Sequence, residues 1–454
     1  MTDCNPSRES QGFTMELTYQ KLEDLKKNFQ NNPLNKIAMN AATRVEIQDL
    51  AVNRTISETI NFCFSHELET AAEATAQKKL GICWMYAAFN WCREMAQRKL
   101  NVENVEFAGP YLVFWDKLEK CNYFLQKMIE FLDLPLEDRL VWTFLNKPHD
   151  DGGSWFHFCN LIKKYGILPK SAMPDTKYTE ESTRMNIILS TKLRQYAFEL
   201  RSLYQKGFSK EQLQEKCLEY NAEIYRILAI TLGLPPERFE WSYRDKNKNF
   251  HRMSNITPKE FYEKAIGIDL HETFTVWNGP LASMPYNQTY TIAHAQTMVD
   301  GIPMTSLNLP MAELKKYALK MILQGDVCLF SCDVGQESHR KEGILYKGLY
   351  DYGLVFQSRF DLLDKGTRLE YGEGKLSHSM LLTGVDIVDD RPIKWKVENS
   401  WGTDYGKKGY FIMSDEWFNE YVYEIIVPKK YLENEALENF QKPPVVLPYW
   451  HPMC

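Results

Sequence analysis

Four side chains in this chain could together cleave an amide: the Cys83 thiol, the His378 imidazole and the amides of Asn399 and Gln77. A thiol attacks a carbonyl as thiolate, and a helix start or a neighbouring imidazolium lowers its pKa. Cys83 lies in AQKKLGICWMYAAFNWC, where a turn at Gly81 meets an apolar helical pattern, so the helix start is expected to favour the thiolate. Taken alone, the stretch describes a buried core thiol equally well, because free cysteine is among the most buried residue types. Cys92, deeper in the same pattern, reads as such a thiol. His378, in LSHSMLLTGVD, shares a strand face with Leu376 and Met380, a setting that also suits a core histidine. Asn399, in VENSWG, ends the next expected strand and could fix the imidazole tautomer; by itself it is a turn residue. Gln77 could aim an N–H back across the turn and, with the Cys83 backbone N–H, form an oxyanion site; by itself it is a surface glutamine.

These groups need elements to hold them. Residues 83–100 read as a helix with Trp84, Ala88, Trp91, Cys92 and Met95 at helical spacing, Met85 and Phe89 widening the apolar surface, and Arg98 and Lys99 at its end. DGGSWFHFCNLIKKYGILPK reads as a turn and a helix, capped by Ser154 and stopped by Gly166. Residues 180–234 are strongly helical, with a capping box at Ser209–Gln212 and a stop at LGLPP. Residues 235–300 are less regular. After about residue 325 the chain reads as strands: DVCLFSCDVG, HSMLLTGVDIV, IKWKVEN and KKGYFIM, with Ser414 opening a short helix. The expected class is α+β, with a helical front half, a strand-rich back half and a cleft between them.

Composition narrows the function classes. The chain has 454 residues, 44% hydrophobic and 25% charged, enough for a sizeable core. A net charge of −6 and a pI near 6.0 argue against a nucleic-acid binder. The N-terminal MTDCNPSRESQGFTMEL has no apolar core of signal-peptide length, and the uncharged run Thr273–Val299 is interrupted by prolines and amides. The ten cysteines contain no CxxC pair, and with the nine histidines they form no metal-ligand spacing. A cytoplasmic protein without a membrane segment, metal or cofactor is the expectation.

Taken together and in order, Q-x5-C-W, H-x-M-x3-G and ENSWG…GKKGYFIM resemble the papain-type cysteine proteases. DGGSWFHFCNLIKKYGILPKSAMP, FSCDVG, LSHSMLLTGVD, KWKVENSWG, KKGYFIMSDEWFNEYVYEIIV and VVLPYWHPM resemble one branch of them, bleomycin hydrolase and aminopeptidase C. The resemblance implies a two-lobed papain-like fold, with a helical lobe, a β-barrel-like lobe and an inserted helical arm. The matching divisions are 1–60 as an N-terminal arm, 61–180 as the lobe with the nucleophile helix, 181–300 as a helical oligomerisation arm, and 301–454 as the strand-rich lobe with the tail. It implies Cys83 as nucleophile, His378 as general base and acid, Asn399 as its orienter, Gln77 as oxyanion donor and Trp401 as a shield for the His378–Asn399 bond. Gly81, Ile82, Trp84, Gly152, Gly153 and Cys454 would line the substrate cleft. It further implies a homohexamer acting on peptides, with the C-terminus in the cleft meeting the substrate ammonium, and it extends the substrate question to bleomycin-type amides.

Three departures matter. Leu80-Gly81-Ile82 stands where the branch has Ser-Gly-Arg, so an apolar surface is expected on the cleft wall; WHPM replaces WDPM; and the sequence stops at Cys454, which puts strict aminopeptidase action in doubt. The alternatives are a relaxed endopeptidase, an acyl transferase using the same triad, and a non-catalytic scaffold or nucleic-acid-binding barrel.

Overall fold

The Gly81 turn leads into a helix, Cys83–Leu100, in the computed structural model, which describes residues 15–69 and 72–454. This helix is apolar nearly all round because it is enclosed: Met85, Ala88, Cys92 and Ala96 have no exposed surface. Asn101, in the left-handed region, closes it, with Arg98 and Lys99 in its last turn. Trp155–Tyr165 packs against it, carrying a capping box in which the Ser154 N–H donates to His157 Nδ1, and it stops at Gly166 with φ 77°. Gly109–Glu130, Thr183–Gln205 and Lys210–Leu232 extend the same core, and the last begins with the Ser209–Gln212 capping box.

The second layer is a twelve-stranded mixed sheet. Its order is Val445–Leu447, Gln288–Ile292, Ser306–Asn308, Thr273–Trp277, Val422–Pro428, Cys328–Cys332, His378–Val388, Arg391–Glu398, Tyr410–Ser414, Ile344–Leu345 and Ser338–His339. His66–Glu67 pairs beside His378–Val388. Thr273–Trp277 and Gln288–Ile292 fall inside the span expected to be helical. Most of their positions are buried on both faces, so the alternation that marks a half-exposed strand is missing. The centre of the sheet is antiparallel: Leu381 stands opposite Leu329 on one side and Glu398 on the other. Among the described residues no helix is long and apolar enough to cross a membrane.

Residues 15–60 and Gly348–Leu362 form a separate unit. It consists of the helices Tyr19–Asn31, Pro33–Ala42, Ile47–Ala51, Arg54–Ser57 and Tyr352–Phe356, with Thr18, Asn32 and Asn53 as N-caps. Gln357 Nε2 donates to Asn35 Oδ1 at 2.9 Å within it. The expectation of no leader segment rests on residues that include 1–14, which lie outside those described.

Candidate active site

Cys83 is the first residue of its helix, so its N–H has no carbonyl one turn earlier to bond. The turn before it is braced by Asp151. The Gly81 N–H donates to Asp151 Oδ2 at 3.3 Å, and Trp84 Nε1 donates to the Asp151 carbonyl at 2.8 Å. The Asp151 carboxylate accepts from Lys117 Nζ and Ser182 Oγ, each at 2.6 Å, and from Asn186 Nδ2 at 2.9 Å. Burial opposes its ionisation, but Lys117 and the two neutral donors outweigh burial and hold it well below the usual carboxylate range. Gly153 lies flat on Trp84: a Cβ there would stand 2.4 Å from the indole.

His378 opens the central strand, and Asn399 directly follows the strand paired with it. His378 Nε2 lies 2.8 Å from Asn399 Oδ1, and the Ser400 main-chain N–H donates to the same atom at 2.8 Å. The second donor identifies that atom as the oxygen, so His378 Nε2 carries the hydrogen and Nδ1 keeps its lone pair to accept a proton. Asn399 Nδ2 is left buried without a partner, the cost of aiming the carbonyl at two donors. The Ser379 main-chain N–H, next to His378, acts on the Cys83 sulfur in the direction that favours thiolate. The Trp401 ring lies 4.8 Å from the His378 ring and covers it.

Gln77 reaches this group through the backbone. Its N–H donates to the Ser400 carbonyl at 2.8 Å, and the Gly402 N–H donates to Thr75 at 2.9 Å, a short ladder between 75–77 and 400–402. Ser400 Oγ donates to Gln77 Oε1 at 2.7 Å, which fixes the amide. Gln77 Nε2 gives one hydrogen to the Leu80 carbonyl across the turn, at 2.7 Å, and keeps a second.

Burial pushes the Cys83 thiol above its ordinary value, and the Ser379 N–H and the helix start only reduce that rise. The expected lowering by the helix start is therefore overridden by desolvation in the free site. Burial likewise lowers His378 to about 4, with the Asn399 bond opposing and Arg340 assisting. Burial thus disfavours charge on each member of the pair. A lowered base pKa means that His378 takes up a proton only as pH falls through that lower value. The acid limb of kcat/KM is accordingly expected near pH 4 in a pH-rate profile; a limb centred near 6.5 would contradict the buried, neutral imidazole.

Cys83 and His378 face one cleft of about 390 Å³, walled also by Gly81, Trp84, Gly152, Gly153 and Cys454. Ile82 does not line it. Ile82 and Leu80, 1% and 2% exposed, turn into the helical core, so the expected apolar cleft wall does not form. Only the glycine between them faces the cleft, and the alternation around a tight turn sends its neighbours inward. Trp401 lies outside the cleft walls, beyond His378.

Sequence reasoning missed Ser400, the Lys117–Asp151 brace, and a buried ion pair beneath the site. Arg93 Nη2 donates to both carboxylate oxygens of Glu398 at 2.7 Å, linking the Cys83 helix to the residue before Asn399. A signal was present: Arg93 and Glu94 interrupt an otherwise enclosed helix, and enclosed charges need partners.

The chain matches the model of the peptidase C1-like family over residues 16–454. It is 37% identical over 444 residues to aminopeptidase C of Lactobacillus delbrueckii subsp. lactis, covering 97% of this chain and 98% of that protein. It is 36% identical over 445 residues to bleomycin hydrolase of Rattus norvegicus, covering 96% and 98%. The crystal structure of pepw from Lactobacillus rhamnosis HN001 superposes with a TM-score of 0.93 at 39% identity, covering 96% of this chain and 98% of that one. With its helical core, mixed sheet and near-complete coverage by these relatives, the chain belongs to the peptidase C1-like family and is a papain-like cysteine peptidase.

Proposed function

We propose that this protein is a cysteine aminopeptidase that hydrolyses the first amide bond of peptides, with Cys83 as nucleophile, His378 as base and acid, Asn399 as orienter and Gln77 as oxyanion donor. The observation that carries the reading is the His378 tautomer: Nε2–H is committed to Asn399, so Nδ1 can take a proton beside Cys83. As the substrate carbonyl approaches, the thiol proton passes to His378 Nδ1 and the sulfur bonds to the carbonyl carbon. The oxyanion meets the second hydrogen on Gln77 Nε2 and the Cys83 backbone N–H. His378 then protonates the leaving amine, the C–N bond breaks, and water releases the acyl group by the reverse proton path.

The names of the relatives, aminopeptidase C and bleomycin hydrolase, support exopeptidase action. So does the tail. Val445–Leu447 pairs with Gln288–Ile292, Tyr449 stacks on Phe144 at 5.1 Å, and the chain then delivers Met453 and Cys454 into the cleft with Cys83. A segment seated there leaves room for few residues before the cleaved bond. Peptides with a free N-terminus are therefore expected to exceed their N-acetylated forms at least about tenfold in kcat/KM. Equal rates would favour an endopeptidase; bleomycin added as a further substrate tests whether bleomycin-type amides are cleaved.

A cytoplasmic homohexamer completes the proposal. Nine free thiols among the described residues suit a reducing compartment. Exposed Phe198, Leu218 and Ile230 on the paired helices of 183–232 support that segment as an assembly surface. A light-scattering mass near six 53.2 kDa chains checks it, and a monomer mass overturns it.

A further inference from the structure

Next to His378, outside the residues that wall the cleft, lies an aromatic shelf that carries a cation. The Arg340 guanidinium lies 4.1 Å from the Trp401 ring centroid and 4.8 Å from that of Tyr405. Trp401 in turn lies 4.8 Å from the His378 ring. Arg340 sits at the turn of a hairpin, Ser338–His339 with Ile344–Leu345. That turn is anchored to the Trp401 loop: the Gly406 N–H donates to the Lys341 carbonyl at 2.9 Å, and Ile344–Leu345 runs parallel to Ile412–Met413 in the sheet. The guanidinium is thus held on ordered backbone and still exposed to solvent.

Among the described residues no carboxylate forms an ion pair with Arg340, although Asp404 and Glu342 lie in the two adjoining loops. Stacking engages the flat face of a guanidinium and leaves its edge N–H groups free, and that edge matches a carboxylate in a fork-to-fork geometry. The chemistry gives this edge a direction. His378 hands its proton to the leaving amine, so the residue that carries that amine lies beside His378. From there the departing chain can cross Trp401 toward Arg340. Neither Trp401 nor Arg340 lines the cleft that holds Cys454.

We propose that Arg340 is a specificity determinant for the leaving half of the substrate, where it binds a carboxylate. This rests on the placement of Cys83 and His378 given above. Two sources of that carboxylate share the chemistry: the free C-terminus of a di- or tripeptide, and an acidic side chain on the first leaving residue.

Two pairs of peptides separate them. The first is Ala-Ala against Ala-Ala-amide; the second is Ala-Asp-amide against Ala-Asn-amide. The expected result is a preference of about tenfold in kcat/KM for the charged member of at least one pair, carried by KM and reduced by salt. The pair that shows it identifies the source. Arg340→Gln should abolish the preference, Arg340→Lys should keep part of it, and Arg340→Glu should reverse it. No preference in the wild type, or a preference that survives in Arg340→Gln, overturns the proposal. A uniform loss on all four peptides leaves each ratio intact and also overturns it, since that marks a structural role. Retained activity in Cys83→Ala would instead mark failure of the underlying site assignment.

Discussion

Cys83→Ala is expected to lower the hydrolysis of an amino-acyl fluorogenic amide by at least about 10⁴-fold, since removing the attacking atom leaves only binding and oxyanion stabilisation. An epoxide thiol inhibitor should label the wild type at Cys83 and stop its activity. The other thiols make the mapping informative. Cys92, Cys121, Cys159, Cys217, Cys328 and Cys332 are buried and Cys63 is exposed; burial raises Cys121 to about 12 and Cys217 and Cys454 to about 11. Cys83 is raised by burial as well, so its reactivity depends on a partner that removes the proton. His378→Ala should therefore slow labelling at Cys83 along with turnover. Labelling confined to Cys63 or Cys454, with activity intact in Cys83→Ala, would refute the assignment.

The second large effect concerns stability. Arg93 and Glu398 are each 1% exposed, and the guanidinium grips both carboxylate oxygens. Burial pushes the Glu398 carboxyl up, and Arg93 is the main influence that opposes it. Glu398→Ala leaves Arg93 charged and enclosed, with Glu94 at 3.8 Å as a poorer carboxylate partner and the neutral Asn90 Oδ1 accepting from Nη1 at 3.2 Å. A loss of about 3–5 kcal/mol is expected, seen as a lower thermal midpoint. The double replacement Arg93→Met with Glu398→Leu should recover most of it, because packed apolar side chains do not carry the desolvation penalty. A single replacement that costs less than about 1 kcal/mol would show that the pair is not tightly enclosed. Glu398→Ala should also depress kcat, since Asn399 is the next residue.

Local patterns were legible wherever one residue type has one physical use. The helix from Cys83 to Leu100, the Ser154 and Ser209 caps and the Gly166 stop follow from spacing and capping chemistry alone. The strands at Cys328, His378 and Tyr410 were likewise readable from their β-rich runs. What could not be read depends on partners distant in sequence. Glu398 alternates with buried positions as a solvent-facing residue would, and only the approach of Arg93 makes its burial tolerable. Ile82 neighbours the thiol along the chain yet points away from the cleft, because a tight turn sends adjacent side chains to opposite sides. Whether a helix start or desolvation governs the thiol depends on enclosure, which no local window records.

The ladder between 75–77 and 400–402 bears on how this protein is made. It joins stretches near opposite ends of the chain, with most of the polypeptide between them. During synthesis the thiol would leave the ribosome long before the imidazole and Asn399 have been translated. Throughout that interval Cys83 has no base, and Gln77 has no Ser400 to orient its amide. A hydrolase that would threaten its neighbours if active as a fragment is thus chemically silent until the chain is almost finished. Closing so long a loop carries a chain-entropy cost, and these groups come together only when the 400–402 stretch pairs with 75–77.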